Sequence, residues 1–167
     1  TLNMDMLRCF FEISEEDTGK YFENTMIWQC GDAYTSHQGK YPVIFLTFKD
    51  VKFDSWQATL DKIKDLLQAE FGRHAKILNG SQLADYEKEY FSKMLNGSAS
   101  YMDLTVALEK LSKMLASYYG VAPIIIIDEY DVLIRDKSVA ESLCKEYIDF
   151  LNSIFKSNEI QRAISLA

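Results

Sequence analysis

The segment Ala122 to Asp131 reads A-P-I-I-I-I-D-E-Y-D, and it restricts the fold more than any other stretch of the chain. Four isoleucines in a row leave no polar alternation. Such a run fits a strand buried on both faces, as in the middle of a parallel sheet. Burial is worth about 1.5–3 kcal/mol per side chain, enough to fix the strand firmly. Ligands of open α/β sheets bind outside the carboxyl ends of such strands, so Asp128 and Glu129 are expected at a site. Successive strand residues point to opposite faces. The two carboxylates can share one ion only if the strand twists off at that point. Acids that merely end a strand and begin a loop are the plainer alternative.

The rest of the chain supplies helices around a second strand. Leu2, Met6, Leu7, Phe10 and Phe11 recur at helical spacing, which predicts a helix over Thr1 to Glu12 with one apolar face. Ser14 to Lys40 holds Gly19, Gly31 and Gly39 and reads as irregular, with a short helix around Tyr21 to Thr25. Tyr41 to Phe48, Y-P-V-I-F-L-T-F, is the second strand, and Pro42 suits its beginning. Asp54 or Ser55 caps a helix reaching about Phe71, with Trp56, Leu60, Ile63, Leu66, Leu67 and Phe71 on one stripe. Ser81 to Leu95 and Tyr101 to Tyr119 read as two more helices, the latter stopped by Gly120. A last helix spans about Ser138 to Lys156, with Leu143, Tyr147, Phe150, Leu151 and Ile154 inward. The order predicts one α/β domain over residues 1–167 with a mostly parallel sheet. Two strands leave edges exposed, so at least one more is expected, before Thr1.

Charge and composition remove several classes. The net charge is −7, which disfavours binding to a phosphate backbone, and no run of Lys or Arg offsets it. Apolar residues make up 48%, as in a globular core. No apolar run approaches the ~20 residues that span a bilayer, so no membrane partner is expected. Cys9, Cys30 and Cys144 are far apart and odd in number, as for reduced thiols in the cytoplasm. His37 and His74 have no zinc-ligand spacing. Asp50-Val51-Lys52 is a D-x-K of the kind metal nucleases use, but one such triplet is expected by chance in a chain that is 26% charged.

An apolar strand running into Asp-Glu is also the Walker B signature of P-loop ATPases. Its partner loop, G-x-x-x-x-G-K-[ST], does not occur in the sequence. Three segments together, I-I-I-I-D-E-Y-D, Y-P-V-I-F-L-T-F and T-L-N-M-D-M-L-R-C-F-F-E at Thr1 to Glu12, resemble the AAA-ATPase-like domain of bacterial proteins. Many of those proteins carry a restriction-endonuclease-like domain downstream. The resemblance runs from Thr1 to about Glu159. It implies a P-loop NTPase-like (RecA/AAA-type) three-layer fold, truncated at its N-terminus, in a cytoplasmic protein. It also implies ATP and Mg²⁺ as cofactors.

In that resemblance Thr1 is the hydroxyl residue closing the G-K-[ST] motif, so Thr1 and Asp128 serve the nucleotide and its metal. Glu129 is then the catalytic residue that polarises water. The implied function is ATP hydrolysis coupled to a downstream effector. The alternative is a nucleotide-dependent switch or protein-interaction module with little turnover. Partners implied are ATP, a C-terminal nuclease-like domain and further copies of the chain in a homo-oligomer, with no nucleic acid bound directly by this domain.

Two departures stand out. Leu133 occupies a position where the family usually has Pro, and only Ile160 to Ala167 stands where a sensor strand would follow. Arg135 and Arg162 read as surface residues rather than arginine fingers. Tyr130 either lines an adenine or sensor pocket or packs in the core. Tyr86, Tyr90 and Phe91, and the Tyr118-Tyr119 pair, read as core or partner-facing rings.

Overall fold

The computed structural model describes residues 2–157. Thr1, Arg162 and the segment 160–167 lie outside the described residues. Helix α1 (Leu2–Phe11) opens the chain, and a 3-10 turn (Gly19–Tyr21) and the short helices α2 (Met26–Gln29) and α3 (Asp32–Thr35) follow. Then come β1 (Val43–Thr47), α4 (Trp56–Arg73), a 3-10 turn (Ala75–Asn79) and α5 (Asp85–Leu95). The chain continues through α6 (Tyr101–Thr105), α7 (Ala107–Tyr119), β2 (Ile124–Asp128), α8 (Val132–Arg135) and α9 (Glu141–Ile154).

Local chemistry sets several boundaries differently from the sequence expectation. The single helix expected over Tyr101 to Tyr119 is two. Ser100 and Asp103 box the start of α6, whereas Thr105 turns its hydroxyl onto the Met102 carbonyl and Val106 leaves helical geometry at ψ 7°. Two β-branched residues in succession, one of them bonding back to the main chain, favour such a break. Helix α5 starts at Asp85 rather than Ser81, because the Glu87 carboxylate accepts from the Ala84 N–H at 2.8 Å and satisfies a first-turn donor. Ser55 caps α4 as expected, accepting from the Ala58 N–H at 3.3 Å.

Strands β1 and β2 pair in parallel, Val43 opposite Ile124 through Thr47 opposite Asp128. They are the two strands of the sheet among the described residues. Ile125 and Ile126 are buried on opposite faces, and Ile124 and Ile127 are half-buried. One face (Ile44, Leu46, Phe48, Ile125 and Ile127) joins the main core with Ile63, Leu67, Phe71, Leu108, Leu111 and Phe150. The other face carries Phe45, with the Arg8 guanidinium 5.4 Å from its ring centre, so α1 covers this side.

Among the described residues, the outer edge of β1 is met by side chains and not by a third strand. The Phe45 N–H donates to Glu70 Oε1 at 2.9 Å, and the Val43 carbonyl accepts from the Arg73 guanidinium at 2.9 Å. Side chains of α4 thus take up two of the backbone groups that this edge turns outward, in place of a neighbouring strand. Arg73 also pairs with Glu70 at 2.9 Å and with Glu12 at 3.0 Å, and His74 meets Glu70 at 3.1 Å. This cluster fastens the end of α1 to α4 and β1.

Helix α1 departs from expectation in its burial. Phe10 is buried, but Leu2, Met6 and Leu7 of the same apolar set are 76%, 50% and 45% exposed. Amphipathic spacing identifies a face without saying whether the described residues cover it.

Candidate functional site

Asp128 ends β2 opposite Thr47, at the carboxyl end of the sheet and on the α1 side of it. Its side chain is buried. The direction of α1 follows from its attachment points. Glu12 bridges Tyr41, and the Ile13 N–H donates to the Tyr41 carbonyl at 2.8 Å, so the helix ends beside the start of β1. Arg8 lies over Phe45, midway along the strand. Helix α1 therefore runs back along the sheet, and its 10 residues, about 15 Å long, begin near the end that carries Asp128. A helix start contributes partial positive charge there.

Glu129 is where the strand breaks. Its φ of 53° is the one positive value among the described non-glycine residues. Strand alternation would have sent its side chain to the face opposite Asp128, and a left-handed residue cancels that alternation. The condition under which both carboxylates can serve one site, a strand that twists off after Asp128, is met by the backbone. Left-handed geometry costs a residue with a Cβ about 1–2 kcal/mol, and such outliers concentrate at functional sites.

Three successive carbonyls hold this turn. The Asp128 carbonyl accepts from the Phe48 N–H at 2.9 Å, and that of Glu129 from the Val132 N–H at 3.2 Å. The Tyr130 carbonyl accepts from the Tyr147 hydroxyl at 2.7 Å. Beyond the turn, Asp131 pairs with Arg135 at 3.0 Å, and Lys52 forms an ion pair with Asp136. Lys52 is thereby engaged in tying the loop after β1 to the loop after α8, which is a structural role for the D-x-K lysine. Arg135 is 61% exposed on its side chain, in line with a surface residue. Tyr130 is 51% exposed, so it is not a core ring. Tyr90 and Phe91 are core, whereas Tyr86 is 74% exposed.

Sequence reasoning ranked Tyr147 among core residues and passed over Glu70. Both carried a readable signal. A tyrosine on a buried helix stripe needs a partner for its hydroxyl. Glu70 falls on the Ile63, Leu67, Phe71 stripe of α4, where a carboxylate must be matched. Which partner each finds was invisible, because Tyr130 and Phe45 lie on other elements.

Replacing Glu129 by Gly separates strain from chemistry. Gly loses about 0.5–1 kcal/mol in chain entropy but removes the larger left-handed penalty. The variant should melt about 1–3 °C higher in a thermal denaturation series. A lower midpoint would mean that contacts of the Glu129 side chain outweigh its backbone strain.

The fold and site thus define a mixed α/β protein with a buried acid and a strained acid at the carboxyl end of a small parallel sheet. The sequence model of one family, described as "Predicted AAA-ATPase", matches residues 1–165, and the chain belongs to that family. Membership implies nucleotide binding in general terms. No curated protein and no solved structure matches the chain. Among the described residues, no helix is long and apolar enough to cross a membrane.

Proposed function

We propose that the chain is one P-loop domain of the three-layer RecA/AAA type, spanning residues 1–167, that binds Mg-ATP and hydrolyses it. The observation that carries this reading is the left-handed turn directly after a buried aspartate on a parallel strand. It lets neighbouring carboxylates take different roles at one place. Asp128 holds the metal and Glu129 orients the attacking water. Thr1, which precedes α1 in the sequence, supplies a hydroxyl to the same metal.

The donor set suits Mg²⁺. Asp128 offers hard carboxylate oxygen, and no group of three or more His, Cys, Asp or Glu gathers among the described residues. Mg²⁺ is ordinarily held by one or two carboxylates together with substrate phosphates, not by a closed protein cage. When bound, the ion would neutralise charge on the phosphates. Positioning and charge stabilisation do most of the work in phosphoryl transfer, and they are what a fixed strand end provides. Hydrolysis in this cytoplasmic protein would be coupled to a downstream effector. A nuclease-like domain in the same polypeptide and further copies of the chain are the proposed partners.

The direct test is Mg-dependent ATP binding by the full-length protein. Asp128→Asn should weaken it by about 10-fold or more, as losses around a metal ligand do. Unchanged binding would remove Asp128 from the site. Binding without phosphate release in the unaltered protein would identify a nucleotide-dependent switch in place of an enzyme.

A further inference from the structure

We infer that Tyr147, on α9, is a positioning residue for the Asp128–Glu129 turn, acting through the Tyr130 carbonyl. The inference rests on the nucleotide-site reading of that turn. Of the three anchors on consecutive carbonyls, Phe48 and Val132 donate from the backbone, and Tyr147 alone donates from a side chain. Its ring is fully buried and meets the Phe48 ring edge-on, with centroids 6.4 Å apart. Phe48 and Tyr147 therefore form one packed unit that grips the turn on both sides of Glu129, at the Asp128 and Tyr130 carbonyls.

A second bond from α9 follows the same path. Cys144 lies three residues before Tyr147, on the same helix face, and its thiol donates to the Leu133 carbonyl at 3.4 Å. Helix α9 is thus a platform beneath the turn and the short helix α8. Burial, with a smaller contribution from Asp131, raises the Tyr147 hydroxyl far above the usual tyrosine range. The phenol is therefore held in its protonated, donating form.

A left-handed residue needs surroundings that over-determine it. Phe48 supplies a fixed backbone donor just after β1, and Tyr147 supplies the removable one. Loss of its hydroxyl leaves the ring in the core but frees the centre of the turn. The expected consequence is a Glu129 that samples other orientations, so that turnover falls while nucleotide affinity holds.

Tyr147→Phe removes one oxygen and tests this in the full-length protein. Hydrogen exchange at the Val132 amide, which donates to the Glu129 carbonyl, should quicken at least 10-fold. The Phe155 amide, which donates to the Leu151 carbonyl at the end of α9, should be unchanged, as a control for global loosening. The kcat for phosphate release should fall about 10-fold with KM for ATP within about threefold, uniformly from pH 6 to 9. Unchanged exchange at Val132 overturns the inference. Faster exchange with unaltered kcat also overturns it, provided that Glu129→Gln abolishes release in parallel. If Glu129→Gln releases phosphate at the normal rate, the nucleotide-site reading fails instead. The exchange result then still decides whether Tyr147 holds the turn.

Discussion

Glu129→Gln should lower phosphate release by a factor on the order of 10² to 10⁴, with ATP affinity kept within about threefold. Gln has the same length as Glu and bears the same left-handed backbone, so the turn and its three carbonyl anchors should persist. What disappears is the charge that orients and polarises water. Single-turnover release, measured beside equilibrium binding, separates the two effects. The contrast with Asp128→Asn is informative. That variant is expected to fail at Mg-dependent binding, one step earlier. If Glu129→Gln turns over normally, the strain at φ 53° has some purpose other than catalysis.

Glu70→Ala should be among the most destabilising single changes in the chain, by about 3 kcal/mol or more. Glu70 is only 4% exposed and accepts from the Phe45 N–H, from Arg73 and from His74. Without it, the backbone donor of β1 loses its acceptor, Arg73 loses one of its two carboxylates, and His74 loses its hydrogen-bond partner. Arg73 is 31% exposed on its side chain and keeps Glu12 and the Val43 carbonyl, which places the cost at the lower end of the range for broken buried pairs.

Acid should reproduce part of this effect. Burial pushes the Glu70 carboxyl up, but hydrogen bonds from His74 and Arg73 pull it down further, and the net shift is downward. A folded-state value below the unfolded one contributes stability above the ordinary carboxylate range, about 4.3. That stability is lost as pH falls through the folded value. Urea midpoints for the unaltered protein and Glu70→Gln should differ most near neutral pH and converge below about pH 4. A gap that stays constant down to pH 3 would show that the charge of Glu70 is not what closes the edge.

Residues adjacent in sequence were the legible ones. The Ile124 to Asp128 strand, the Ser55 cap and the apolar stripes of α4 and α9 follow from period and capping chemistry, and the structure has all of them. The break at Val106 was hidden because a Leu stripe at helical spacing survives a one-residue interruption. The exposure of Leu2, Met6 and Leu7 was hidden for a different reason: a face does not name its cover. Glu70 and Arg73 completing the edge of β1 depends on a contact across 25 to 30 residues of sequence, which no local window contains.

The sequence by itself determined that a buried strand would end on two acids, because aliphatic packing fixes what lies next to it in the chain. Alternation then put the acids on opposite faces, and nothing local could reverse that. Tertiary structure decided it. Phe48 just after β1 and Tyr147 from α9 hold the Asp128 and Tyr130 carbonyls, Val132 closes the turn between them, and Glu129 takes a left-handed conformation that its own preference opposes. A backbone state costing about 1–2 kcal/mol needs bonds from elsewhere in the fold to sustain it, and those partners exist only once the chain has folded.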